Sequence, residues 1–428
     1  MRGLEKLNLE NLQNLQGLFE IAKGKHILLL VSGSIAVYKS LDLVRAFKKL
    51  GACVRVVMSE EAKKFITPLS FEALAHTQVL HTQTESWAQS DGEIACNHIA
   101  YAKWAHIAIL APASANTLAK VAHGITDGLV LSTFLACKAP KLIAPAMNTA
   151  MLEAPQIKQA IALLQAYGFG IIKPQEALLA CDTYGKGALA HIDEIVYNTL
   201  RTIHTDTFWQ HKEVIITGGG SVENIDSVRY ISNHSSGLQA SFLALALYLR
   251  GAKVTLIASV FPMALPTDIE CIKAKDSQTF LSTLKECIPQ DREAFLFMAA
   301  AISDYVPKES FSHKLKKDAI GEVWHIECQK NIDILQSLTS PYLHKIGFKA
   351  ESDGQDAPQH AQKMLQSPKD GGKGCAVVCL NCIGTHSPFG AMDNEMTLFS
   401  HTHTHHIKRQ DKLAVSFEIL EFIQKTLC

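Results

Sequence analysis

The chain predicts an α/β fold of two doubly wound, Rossmann-like domains with parallel sheets, and three observations carry that prediction. Its 428 residues exceed what one ordinary core holds and suit two domains of roughly 200 residues each. Short apolar runs of strand length alternate with helix-length amphipathic segments through both halves. Twice, such a run empties into a small-residue turn: Val31 into Ser32-Gly33-Ser34-Ile35-Ala36, and Thr217 into Gly218-Gly219-Gly220-Ser221. Small residues let backbone N–H groups approach an anion, and a following helix N-terminus adds partial positive charge. Two such starts imply two nucleotide or cofactor sites.

Residues 1–23 carry Leu4, Leu7, Leu12, Leu15 and Leu18 among Asn, Gln, Lys and Glu, the pattern of an amphipathic helix that packs or makes oligomer contacts. It lacks the continuous apolar core of a signal peptide. The first domain, 24–205, offers strands at 27–31, 54–58, 107–111, 141–144 and 170–172, with helical segments such as 39–50 and 192–203 between and after them. The second, 206–428, repeats the rhythm at 214–217, 253–257, 294–298, 345–349 and 376–380, with a long helix over 238–249. Right-handed crossovers then place helices on both faces of each sheet. The polar stretch 353–374 predicts a helix and an exposed loop.

Lys plus Arg equals Asp plus Glu at 41 each, so net charge gives no reason to expect nucleic acid. No apolar run approaches the ~18 residues that span a bilayer, so no membrane partner is expected. Eleven cysteines without a secretory signal favour free thiols in a reducing cytoplasm.

Three clusters lie where first-domain strands end: Ser32-Gly33-Ser34, Ala111-Pro112-Ala113-Ser114-Ala115-Asn116 and Ala144-Pro145-Ala146-Met147-Asn148. Hydroxyls, amides and tight backbone can hold a phosphate and a ring edge without a charged clamp, although Pro145–Asn148 taken alone reads only as a turn. The first cluster is not a G-x-G-x-x-G fingerprint, which argues against a simple NAD site. Taken in order with Asn97-His98-Ile99 and Lys103-Trp104-Ala105, the set resembles the flavin-dependent phosphopantothenoylcysteine decarboxylases over residues 24–200.

That resemblance implies a flavodoxin-like domain seating FMN through Gly33, Ser34, Ser114, Asn116, Pro145, Ala146 and Met147. It implies His98 as the base that starts substrate oxidation, Asn148 as the binder of the substrate carboxylate and Cys181 as a proton donor on a mobile flap. The flavin would take two electrons from the cysteinyl side chain, allow loss of carbon dioxide and return them. The flap departs from the family pattern: Asp182 follows the cysteine where the family has Gly, and Ala188-Leu189 replaces Arg-Met. Asp182 is expected to keep the Cys181 thiol protonated.

In the second half, Arg229, Asn233, Ser235 and Ser236 precede the long helix, a pattern that fits either an anion cradle or a well-capped helix. With Ala299-Ala300-Ala301-Ile302-Ser303-Asp304-Tyr305, Lys314-Leu315-Lys316-Lys317, Lys330-Asn331-Ile332-Asp333 and Gly347-Phe348, the region resembles phosphopantothenate–cysteine ligase from about residue 212 onward. The resemblance implies a nucleotide-binding ligase domain that activates 4′-phosphopantothenate with CTP and passes the acyl-cytidylate to L-cysteine. Asp304 and Phe348 would lie at the base, Asn233 and Ala301 at the acyl-cytidylate, and Gly219, Arg229, Ser235 and Ser236 around the nucleotide. Lys314, assisted by Lys317, would neutralise phosphate charge, and Mg2+ would ride on the triphosphate with few protein ligands. Here too the sequence departs: Leu238-Gln239-Ala240 stands where the family has a basic residue, Met and Gly, and Lys349 replaces an alanine. The resemblance also implies a homo-oligomer of trimer-based decarboxylase cores joined through ligase-domain dimers.

Two patterns remain outside that scheme. Cys375, Cys379 and Cys382 have iron–sulfur spacing, but 376–380 reads as a buried strand, so the thiols cannot converge from one loop. His401, His403, His405 and His406 read as an exposed loop or hairpin. A rival from another class is a non-catalytic or single-activity flavoprotein relative that binds regulatory partners.

Overall fold

The structure is a computed structural model and describes residues 16–88, 94–316, 322–352, 356–383 and 390–427. Lys317 and most of the N-terminal leucine pattern lie outside the described residues, where the helix Gln16–Ala22 is its visible part. Leu18–His204 form one compact unit and the chain from Thr205 forms another.

The first unit is built on a five-stranded parallel sheet of β1 (His26–Val31), β2 (Cys53–Met58), β3 (Ile107–Ala113), β4 (Lys141–Pro145) and β5 (Gly170–Ile171), in the order β2-β1-β3-β4-β5. β1 and β3 are buried along nearly their whole length, as strands covered on both faces must be, which is why their sequences are continuous apolar runs rather than alternating ones. The helix Lys39–Lys49 turns Leu43, Val44 and Phe47 inward from an otherwise charged surface. After β1 the chain steps to β2 on one side and returns to β3 on the other. Adjacent strands therefore send their loops to opposite faces and leave a crevice at their C-terminal ends. Beyond β5, an antiparallel hairpin of β6 (Gln175–Leu178) and β7 (Tyr184–Ala188) was not legible as strand in the sequence.

The second unit contains β8 (Glu213–Gly218), the short β9 (Val222–Asn224) and β10 (Tyr230–Ser232), β11 (Lys253–Ala258), β12 (Glu270–Lys273) and β13 (Ala294–Met298). These are followed by β14 (Tyr305–Pro307), β15 (Cys328–Lys330), β16 (Leu343–Ser352), β17 (Val377–Ile383), β18 (Asp393–Phe399) and β19 (Thr404–Asp411). Its main sheet runs β12-β11-β8-β13-β16-β17-β18-β19, parallel through β17 and antiparallel at β18 and β19. The fully parallel expectation is thus corrected at one edge. The second small-residue turn also leads first into the antiparallel β9–β10 pair, and the helix Leu238–Leu249 follows only after it. Eleven of that helix's twelve residues are buried, which explains its apolar character all round: it lies between β8 and β11 and the helix Lys412–Leu427. Cys375 and Cys379 are buried at the start of and within β17. His405 and His406 project from β19 to Glu418 and Glu395, at 3.0 and 3.2 Å.

One buried carboxylate, paired with a partly exposed arginine, organises the loops beside β9 and β10. Asp226 is 2% exposed and receives the Arg229 guanidinium, the backbone N–H groups of Val228 and Arg229 at 2.8 Å, and the Leu315 N–H at 3.3 Å. The guanidinium also donates to Leu315 O at 3.0 Å and lies over the Trp324 ring, 4.2 Å from its centroid. The Arg229 guanidinium, followed by the backbone donors, holds the Asp226 carboxyl well below the usual carboxylate range. A carboxyl depressed in the folded state contributes stability above its unfolded value of about 3.9 and loses it as pH falls through the folded value. Asp226→Asn is therefore expected to lower the urea midpoint at pH 7 and to flatten its decline between about pH 4 and pH 2. An acid limb as steep as that of the unsubstituted chain would show that the pair does not carry this term.

Candidate active sites

In the first unit the strand ends are stitched together by serines. Ser32 Oγ donates to Pro112 O at 2.7 Å and accepts from Ser114 N at 2.9 Å, while Ser40 Oγ donates to Ala111 O at 3.0 Å. Ser34 caps the 3-10 turn Ile35–Tyr38 and Ser114 caps the helix Ala115–Ala122, so both hydroxyls sit at the crevice between β1 and β3. A Cβ on Gly33 would lie 2.4 Å from Glu61 Cβ, so this close passage of the chain requires glycine. Asn116 is exposed on the first turn of its helix, and Pro145-Ala146-Met147 follow β4, with Ala146 N donating to Ala113 O at 2.9 Å. Gly33, Ser34, Ser114, Asn116, Pro145, Ala146 and Met147 thus share one sheet edge of neutral donors. Thr149 Oγ1, buried beside it, has no hydrogen-bond partner. Such an edge suits the phosphate and ring of a flavin mononucleotide.

The hairpin carrying Cys181 is fastened to the same edge. Met147 N donates to Gly187 O at 2.9 Å, and Gly187, at φ +138°, has Met147 O where a Cβ would stand. Asn148 caps the following turn through Ala150 N and directs Nδ2 to Cys181 Sγ at 3.2 Å. Thr183 Oγ1 lies 3.0 Å from the same sulfur. The hydrogen bond from Thr183, followed by that from Asn148, lowers the Cys181 thiol below its ordinary value. The direction is opposite to that expected from Asp182, which stands at φ +58° in the turn.

His98 opens the helix His98–Trp104, whose cap is Asn97. Its Nδ1 lies 2.6 Å from Glu85 Oε1, and Trp87 meets its ring edge-on, with centroids 5.7 Å apart. Among the described residues His98 makes no hydrogen bond to Asn148 or Cys181. The structure brings Asn148 and Cys181 together directly and seats His98 in a separate constellation. Glu85 and Trp87 were missed by sequence reasoning, because only the fold reveals which ring nitrogen they face.

The second unit holds a cleft of about 640 Å³ beyond the end of β13, lined also by β16 residues and by the start of the helix Leu238–Leu249. Asn233, Ser235, Ser236, Ala301, Asp304 and Phe348 all line it. Gly219 shapes it from behind: at φ +79° it accepts from Ala301 N at 2.8 Å, and a Cβ would strike Ser259 Oγ. Asn233 Nδ2 donates to Ile302 O at 3.2 Å. The N-terminus of the helix Leu238–Leu249 faces the cleft; its cap residue Gly237 has no side chain to bond it, and Leu238 N donates to Ser236 Oγ at 3.4 Å. Ser303 Oγ and Asn381 Oδ1, both on lining residues, are buried without partners.

Arg229 and Lys314 are absent from that lining. Arg229 is committed to Asp226 and Leu315, so in this structure it braces a loop and does not face the cleft. Lys314 is exposed beside the braced Leu315. Lys412, unmarked by sequence reasoning, lines the cleft 7% exposed, its ammonium donating to Ala391 O and, at 3.1 Å, to Asp393 O. Burial pushes its pKa down. Lys373 pairs with Asp333 at 3.0 Å and Lys349 with Glu351 at 3.1 Å, so much of the cleft's positive charge is already engaged.

A flavoprotein family model matches residues 20–204, and the model for the DNA/pantothenate metabolism flavoprotein C-terminal domain matches residues 209–427. The coenzyme A biosynthesis bifunctional protein CoaBC of Bacillus subtilis is 35% identical over 93% of this chain and 96% of its own length. The Haemophilus influenzae protein of the same name is 33% identical over 94% and 99%, and that of Escherichia coli is 35% identical over 88% and 91%. A solved structure described as a PPC decarboxylase mutant is 32% identical over 42% of this chain and 97% of its own, with a TM-score of 0.38. The chain belongs to the bifunctional coenzyme A biosynthesis proteins of the CoaBC family, with decarboxylase and ligase activities.

Proposed function

We propose that the second domain, as a carbon–nitrogen ligase, joins 4′-phosphopantothenate to L-cysteine with CTP, and that the first, as a carbon–carbon lyase, decarboxylates the product to 4′-phosphopantetheine. The observation that carries the reading is the pairing of Asn148 with Cys181 at the flavoprotein edge, an amide and a thiol 3.2 Å apart beside a neutral phosphate cradle. In the ligase, the substrate carboxylate attacks the α-phosphorus of CTP and releases pyrophosphate. The cysteine amine then displaces CMP and forms the amide. Asp304 and Phe348 hold the base, Asn233 and the backbone at Ala301 hold the acyl-cytidylate, and Lys314 and Lys317 act on phosphate charge alongside Mg2+ carried on the triphosphate.

In the decarboxylase, FMN supplies a two-electron oxidation and its return. His98 takes the proton of the cysteinyl thiol, Asn148 binds the carboxylate that is lost, and Cys181 returns a proton to the enethiolate. The lowered thiol value fits a donor that must release its proton readily. The free thiols fit a reducing cytoplasm, and the resemblance favours trimer-based decarboxylase cores with ligase-domain dimers. Among the described residues no helix is long and apolar enough to cross a membrane.

The reading is tested by supplying 4′-phosphopantothenate, cysteine and each nucleoside triphosphate in turn while following pyrophosphate and carbon dioxide. CTP is expected to support both signals, and equal rates with every nucleotide would overturn the cytidine assignment. His98→Asn is expected to lower carbon dioxide release by about 10²–10⁴-fold while pyrophosphate release persists. Loss of both activities in a folded, flavin-bound variant would refute separate sites. Cys181→Ser is expected to leave the flavin bleached after substrate addition, because the returning proton is lacking, whereas full reoxidation at the normal rate would refute the donor role.

A further inference from the structure

We propose that Glu85 is the positioning residue for His98, fixing the imidazole tautomer whose bare Nε2 receives the substrate proton. The proposal rests on the reading of His98 as the base. An ionised carboxylate only accepts hydrogen bonds, so a contact of 2.6 Å between Glu85 Oε1 and His98 Nδ1 places the ring proton on Nδ1. Nε2 is then left with its lone pair. When Nε2 takes the thiol proton, the resulting imidazolium lies against the Glu85 carboxylate.

The pair is built, not incidental. The side chains of His98 and Glu85 are only 25% and 26% exposed, unlike a solvent-screened surface pair. Their backbones are tied together as well: Ser86 N donates to Cys96 O at 2.8 Å, and Asn97 Nδ2 donates to Ser86 O at 3.4 Å. The residue after Glu85 is thus bonded to the two residues before His98. Asn97 also accepts from Ala100 N at 2.8 Å, which fixes the start of the helix that carries the ring. Trp87 closes one edge of the imidazole at an interplanar angle of 88°. Backbone, carboxylate and indole all contact the ring or the turn that carries it.

The test uses the full flavin-loaded chain labelled with [15N]histidine, with the His98 resonance identified by its absence in His98→Asn. The unsubstituted chain is expected to show the Nδ1–H tautomer at His98 near neutral pH; an Nε2–H tautomer there overturns the proposal without any variant. Glu85→Gln, whose amide can donate to Nδ1, is expected to shift the resonance toward Nε2–H. It should also lower the kcat of decarboxylation roughly 10–100-fold, with KM within about twofold. An unchanged tautomer with unchanged kcat overturns the positioning role. If His98→Asn still releases carbon dioxide at the normal rate, the reading of His98 as base fails instead, and the tautomer measurement still decides what Glu85 does.

Discussion

The right-handed crossover is the constraint on which both domains depend. A parallel strand followed by a helix returns to the sheet with one hand, so a chain that fills one side of its first strand and then the other must open a crevice where the direction reverses. Here the reversal falls between β1 and β3 in one unit and between β8 and β13 in the other. Both small-residue turns leave the sheet at those two positions. Neither crevice needs a special binding loop, because the topology supplies the cavity and the residues supply its chemistry.

The two crevices differ in how they treat charge. At the first, serine and asparagine side chains bond backbone groups at the strand ends, and the edge they form is neutral. At the second, lysines line the space, yet several are already bonded to carboxylates or carbonyls. A neutral cradle holds a resident cofactor through many directed hydrogen bonds. A cleft whose cations exchange partners suits ligands that must enter, react and leave as differently charged products.

The parallel strands and the residues at their ends were legible because burial on both faces writes itself as an apolar run, and the small residues after it have few other uses. Strands such as β6, β7 and β19 were not: they are largely exposed, with residues like Glu176, Lys186, His405 and Lys408 on open faces, so no apolar run marks them, and they are held by antiparallel pairing with a neighbouring strand. Site residues separated clearly along the same line. Asn148 and Cys181, 33 positions apart, are both singled out by the resemblance, but only the fold shows that they touch, at 3.2 Å. Arg229 looked like an anion ligand by type, but Asp226 three residues earlier had already claimed it. Glu85 and Lys412 carried no sequence signal, because a single carboxylate or ammonium gains meaning only from what the fold places against it.

The brace at Asp226 bears on the lysine strip in a way that pairwise contacts alone do not express. Leu315 is held through both its N–H and its C=O, so the backbone beside Lys314 has already lost most of its freedom before any ligand arrives. A long flexible side chain on a loose loop would sample a wide volume and would have to be ordered at the moment of binding. Anchored one residue away, the Lys314 ammonium is instead a tethered charge whose local concentration is set by the reach of its own four-carbon stem. What the fold controls here is the volume through which that charge can search.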